Sequence, residues 1–270
     1  MDRLVAVILF PVWLAGCTQV TPAPTPPRPA VVQTPAAPVG EAAHTAFERY
    51  AALSPQTPDP PSSEQAPFFT DIEELLLGAR KATSPWNREL FIRNAQDQFW
   101  RYGLGIAVAE KLSLAKPEDI AGFRELVGTR VEQIDRDNTV FLKAEVDRRG
   151  GWPPKSDVGD GGAHFSWLLV QHADRDPEFQ RRVLGLMEPM VATGEVYGYD
   201  FAYLFDRVAR AASQPQRFGT QGRCVAGENR WAPFEAEDAA RLDERRLSVG
   251  LTPMAEYLAV FKERRLCEGQ

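Results

Sequence analysis

The 270-residue chain is poor in the residues that build most reaction centres, with three histidines, three cysteines and four methionines. No Cys/His cluster has the spacing of a zinc site. There is no nucleophile elbow, phosphate loop, dinucleotide fingerprint or H-E-x-x-H pair. Asp157 and Asp160 lie close together but lack calcium-loop spacing, so no metal or other cofactor is expected. The basic residues form no stripe and the formal net charge is −6, which argues against a nucleic-acid partner. No apolar run reaches the ~20 residues needed to span a bilayer. No alternating β-branched stretch is long enough for a sheet, and no repeat with a period of about 20–50 residues is present.

What is present begins at the N-terminus. Met1-Asp2-Arg3 precedes an apolar run from Leu4 to Leu14, followed by Ala15-Gly16-Cys17. A short apolar core ending in small residues is the pattern of an export signal. Leu14-Ala15-Gly16-Cys17 resembles the lipobox of bacterial lipoproteins. That resemblance implies that residues 1–16 are a signal peptide, that Cys17 receives a diacylglyceryl group, and that the chain is cut before it. The alternative is an ordinary cleaved signal or an uncleaved anchor. Two or three acyl chains on one cysteine hold a protein to a membrane where one chain does so only marginally. Thr18 stands where enterobacterial lipoproteins kept in the inner membrane carry Asp, which favours the outer membrane, facing the periplasm.

Residues 17–67 are rich in Pro, Ala, Thr and Val. Proline clusters at Pro22 to Pro29 and at Pro55 to Pro61 exclude helix and sheet. This segment reads as a disordered, partly polyproline tether, with one short helical stretch expected from Glu41 to Leu53. The odd cysteine count is settled by Cys17. Cys224 and Cys267 remain as an even pair in an oxidising compartment, and a disulfide between them is expected; two buried free thiols are the alternative.

Residues 68–270 carry helical periodicity. Ile72, Leu75, Leu76 and Ala79 share a face. Ser84-Pro85, Pro117, Asp176-Pro177 and Thr252-Pro253 are helix starts. Asn138 is read as the cap of a continuation, and Asp200 as the cap of a helix from Phe201 to Ala212. Gly150-Gly151-Trp152-Pro153-Pro154 ends a helix sharply. The expected fold is mostly α, a single irregular multi-helix domain behind the tether.

Within this region several motifs fall in order: Asn138-Thr139, Leu142-Lys143, Gly151-Trp152, Gly159 and Gln171-His172-Ala173-Asp174. Tyr203-Leu204-Phe205-Asp206-Arg207-Val208 and Gln216-Arg217-Phe218-Gly219-Thr220-Gln221 follow. Together, over about residues 89–267, they resemble an uncharacterised bacterial family, a domain of unknown function often found in exported proteins. Phe218 stands where that pattern has Tyr. The resemblance implies no activity.

His172 falls on the apolar face of its helix. It reads either as a core histidine satisfied by one hydrogen bond or as a general base or ligand. Asp174 lies on the opposite side of an ideal helix and reads as a turn or cap residue. His164 and His172 are too far apart along one helix to share a metal. Arg207 reads as one partner of a salt bridge, and Gly219 as a turn glycine with positive φ. Two functions stay open. One is a membrane-tethered binding module for a protein, peptide or cell-wall component. The other is an envelope hydrolase or other enzyme using His172 with Asp174, Arg207 or Gln221.

Overall fold

The computed structural model describes residues 66–103, 117–264 and 267. The export signal, Cys17, the tether and the helix expected over 41–53 lie outside the described residues. No described helix is long and apolar enough to cross a membrane.

Eight α-helices are described: α1 (Ala66–Lys81), α2 (Pro85–Gln98), α3 (Pro117–Arg149), α4 (Lys155–Gln171), α5 (Pro177–Val191), α6 (Gly198–Ala211), α7 (Leu242–Ser248) and α8 (Met254–Glu263). Their starts follow local chemistry. Ser84 accepts a hydrogen bond from the Asn87 amide ahead of Pro85, and Asp176 accepts from the Phe179 amide ahead of Pro177. Each such cap is worth about 1 kcal/mol. α2 ends in a π-helical turn, Phe99–Gly103.

Three local expectations are corrected. Asn138 caps nothing: α3 runs unbroken from Pro117 to Arg149, and Asn138 is buried mid-helix with its Oδ1 accepting from Arg93. Asp200 is not the cap of α6, because Tyr197 holds that position and the Asp200 carboxylate turns inward to His164. The last helix starts behind Pro253 and has no side-chain cap.

α4 is the hub, packing against α2, α3, α5 and α6. From Gly162 to Gln171 every residue but Leu168 is buried, so this part of the helix is covered on all sides rather than amphipathic. Leu90, Leu142, Val146, Phe165, Leu169, Val170, Val183, Met187 and Leu204 fill the space around it. Asn94 ties α2 to α4 by donating to the Phe165 carbonyl at 3.2 Å.

The absence of strands is also corrected. β1 (Gly222–Cys224) and β2 (Trp231–Pro233) form an antiparallel hairpin, with Cys224 opposite Trp231. The strands are three residues each, too short for an alternating pattern to register in the sequence. The expected Cys224–Cys267 disulfide is present and closes the hairpin onto the segment beyond α8. Trp231, Tyr257 and Phe261 form a second, smaller core there. Gly222 has no room for a side chain, since a Cβ would meet the Trp231 ring at 2.3 Å.

Candidate functional site

The polar motifs converge on the C-terminal end of α4 and on the loop after α6, forming three clusters. The first surrounds His172, which terminates α4 as its C-cap residue. Its Nδ1 donates to Asp97 Oδ1 at 3.0 Å, and Nε2 has no partner among the described residues. Asp97 is 1% exposed. Besides His172 it accepts from Arg101 Nε at 3.0 Å and Gln98 Nε2 at 2.8 Å. The same Arg101 bonds Asp135 on α3. Burial pushes the Asp97 carboxyl up, but Arg101 and His172 outweigh it and hold the group well below the usual carboxylate range. Arg101 is likewise held above its ordinary value by its two carboxylates, against burial. Asp135 is shifted upward, because burial exceeds the pull of Arg101.

Ligand atoms of Asp97, Asp135 and His172 lie within 4.8 Å of one another. A cation bound there would have to displace the Arg101 guanidinium that already bridges the two carboxylates. As folded, the donor set is therefore neutralised by protein and does not fit a resident metal.

The second cluster explains Asp174 and Arg207. Arg207 grips Asp174 through Nε at 2.7 Å and through a second bond from its terminal nitrogen, a bidentate geometry suited to guanidinium and carboxylate. Gln180 adds a bond to Asp174 at 3.3 Å and caps the carbonyls of Val170 and Gln171. Burial raises Asp174, but Arg207 outweighs it and lowers the carboxyl. The Asp174 side chain remains half exposed, whereas Arg207 is buried beneath it. Asp174 thus lies in the turn after α4, as the sequence suggests, and its carboxylate partners Arg207 of α6 rather than capping a helix.

The third cluster is a latch around Asp206, which is fully buried. Its Oδ1 accepts from the amides of Arg217 at 2.7 Å and Phe218 at 3.0 Å. Its Oδ2 accepts from the Thr220 amide at 2.8 Å and hydroxyl at 2.9 Å. Burial still leaves this carboxyl raised despite four donors. Gly219 has φ +69°, as the sequence suggests, and a Cβ there would meet Met254 Cε at 2.4 Å. Gln216 is wedged between the ends of the hairpin, donating to the carbonyls of Gln221 and Phe234 and accepting from the Gln221 amide. Gln221 itself donates from its side chain to Thr220 Oγ1 at 3.2 Å.

His172, Asp174, Arg207 and Gln221 are therefore not one constellation. Asp174 and Arg207 pair, His172 pairs with Asp97, and no hydrogen bond or ion pair among the described residues joins Gln221 to the other three. No local motif marks Asp97, Arg101 or Asp135 in the sequence. His164 forms a second Asp–His pair, with Nδ1 3.0 Å from each Asp200 oxygen. Burial pushes Asp200 up to about 6, against the opposing pull of His164.

Fold and site together define a mostly helical domain, knit by buried ionic clusters and finished by a disulfide-bridged hairpin. Residues 120–265, more than half of the chain, match a family of unknown function (DUF6624), and the chain belongs to that family. No curated protein and no solved structure matches it.

Proposed function

We propose that this chain is an envelope lipoprotein, held by acylated Cys17 to the outer membrane and facing the periplasm, whose helical domain is a binding module for a protein, peptide or cell-wall component. The observation that carries the binding reading is the commitment of the motif side chains to one another. Asp97 is saturated by three donors, Asp174 by Arg207 and Gln180, and Asp206 by four donors. Groups so paired stabilise helix packing and are expensive to disengage for chemistry. Concave surface lies elsewhere, beside the hairpin and α8. The lipobox-like Leu14-Ala15-Gly16-Cys17 and the proline-rich segment after it support the tethered placement.

One observation favours an enzyme instead. A histidine whose Nδ1 is fixed by a buried carboxylate, as His172 is by Asp97, has its Nε2 oriented for proton transfer. A thermal-shift screen with cell-wall fragments, peptides and metabolites separates the two. Binding predicts ligand shifts that survive His172→Ala; turnover lost in that variant would refute it. The anchor is tested by Cys17→Ser, which should abolish lipid labelling and membrane retention. Unchanged labelling would remove the tethered placement.

A further inference from the structure

The hairpin has an open edge along β2. The bonds from the Val225 amide to the Arg230 carbonyl and from the Phe234 amide to the Gln221 carbonyl set the alternation of the ladder. With Arg223 opposite Ala232, the backbone groups of Trp231 and Pro233 face away from β1. Further along that same edge, Gln216 covers Glu235 and Glu237: its amide donates to the Glu235 carbonyl, and its carbonyl accepts from the Glu237 amide. The Trp231 amide and carbonyl and the Pro233 carbonyl have no partner among the described residues.

Against this uncovered stretch lies a groove of about 410 Å³, lined by residues 229–233 and by Leu258, Ala259 and Lys262 of α8. No residue of β1 lines it. Its floor is apolar. Its charged lining residues are Arg230 and Lys262, with no acid among them, on a chain whose formal net charge is −6. Arg230 pairs with Glu228, while Lys262 has no ion pair among the described residues.

We propose that this edge and groove are the docking site of the binding module, and that the occupant is an extended, acidic segment of a partner protein that adds as a strand beside β2. This deepens the binding reading above and rests on it. The unpartnered ladder groups supply main-chain bonds, the groove takes alternate apolar side chains, and the basic rim selects acidic neighbours. Trp231 is pinned between Tyr257 and Phe261, its ring 4.8 Å from Phe261, and the disulfide ties β1 to the chain beyond α8. The docking edge is therefore preorganised, which lowers the ordering cost of binding.

The test titrates the full mature protein against a fluorescent, capped heptapeptide alternating Glu with Val and Phe, read by anisotropy. Controls are the same peptide with Lys for Glu, and one with alternate backbone amides methylated. Ala259→Phe fills the groove and Lys262→Glu reverses its rim; both positions are exposed, and circular dichroism checks their folding. The Glu peptide should bind, and each control or variant should weaken it on the order of tenfold. Equal binding of all three peptides, or binding untouched by both variants, overturns the proposal. A concentration-dependent dimer abolished by Ala259→Phe also overturns it, because the occupant is then a second copy. If the Glu peptide fails while cell-wall fragments still shift the melting temperature, this surface is wrong and the binding module stands. If nothing binds, both fall.

Discussion

Asp206→Ala offers a sharp test of the latch, because it removes one carboxylate and orphans four donors at once: the amides of Arg217, Phe218 and Thr220 and the Thr220 hydroxyl. A buried donor left without a partner costs about 1–3 kcal/mol. The loop can relax to admit water, so the sum is not realised in full. The expected net loss is about 3–5 kcal/mol, the range for breaking a buried charged network by removing one partner. That is a large share of the ~5–15 kcal/mol stability of an ordinary domain. Asp206→Asn is isosteric and keeps one oxygen, so the bonds to Arg217 and Phe218 can survive. Its amide then faces the Thr220 donors, and about half the loss should remain. Urea denaturation followed by circular dichroism measures the free energies, and amide hydrogen exchange reads protection at residues 217–220. A loss under about 1 kcal/mol for Asp206→Ala, with protection at Thr220 unchanged, would refute the reasoning.

Other perturbations have equally definite outcomes. Reducing the Cys224–Cys267 bond, or replacing both cysteines with Ser, opens a loop spanning 43 positions; the chain-entropy model gives a loss of about 4 kcal/mol in urea denaturation. Asp200 should make stability depend on pH. Its folded value, raised from 3.8 to about 6 by burial, means the folded state binds the proton more tightly than the unfolded chain. Stability from this group is full below the unfolded value and is lost as pH rises through the folded one. Relative to Asp200→Asn, the wild type should therefore lose up to about 3 kcal/mol between roughly pH 4 and 7; a flat difference across that window would show that His164 already compensates the carboxylate. Leu142→Ala, at a fully buried core position, should cost about 2–5 kcal/mol in the same denaturation assay.

The starts of α2 and α5 are legible because Ser84-Pro85 and Asp176-Pro177 act within one turn, and the helix stop at Gly150 is equally local. The mostly helical fold follows from the same short-range periodicity. The hairpin escapes notice because three-residue strands hold no alternation, and its stability comes from the disulfide and from Trp231 stacking on α8, both long-range. Asn138 illustrates the opposite error. A good capping residue lies inside α3 because Arg93, on another helix, satisfies its side chain.

The site divides in the same way. The burial of His172, Arg207 in an ion pair and Gly219 with positive φ are readable from neighbouring residues. The partner of His172 is not, since Asp97 lies 75 positions away in a polar stretch that looks like an ordinary solvated face. Only packing of α2 on α4 turns that residue inward. Gln221 looks like a companion of His172 in sequence order, but Asp206 and Gln216 claim its loop first.

If the ionic network at His172 is internal framework and the domain acts by binding elsewhere, His172 and Asp97 should be coupled in stability and dispensable for ligand binding. A double-mutant cycle on His172→Ala and Asp97→Asn, measured by urea denaturation with the ligand screen run on each variant, tests it most directly. The expected coupling free energy between the two side chains is about 1–3 kcal/mol, with ligand shifts retained in every folded variant. Zero coupling and unchanged stability, together with loss of a ligand shift or turnover in His172→Ala, would contradict it and place the chemistry at His172.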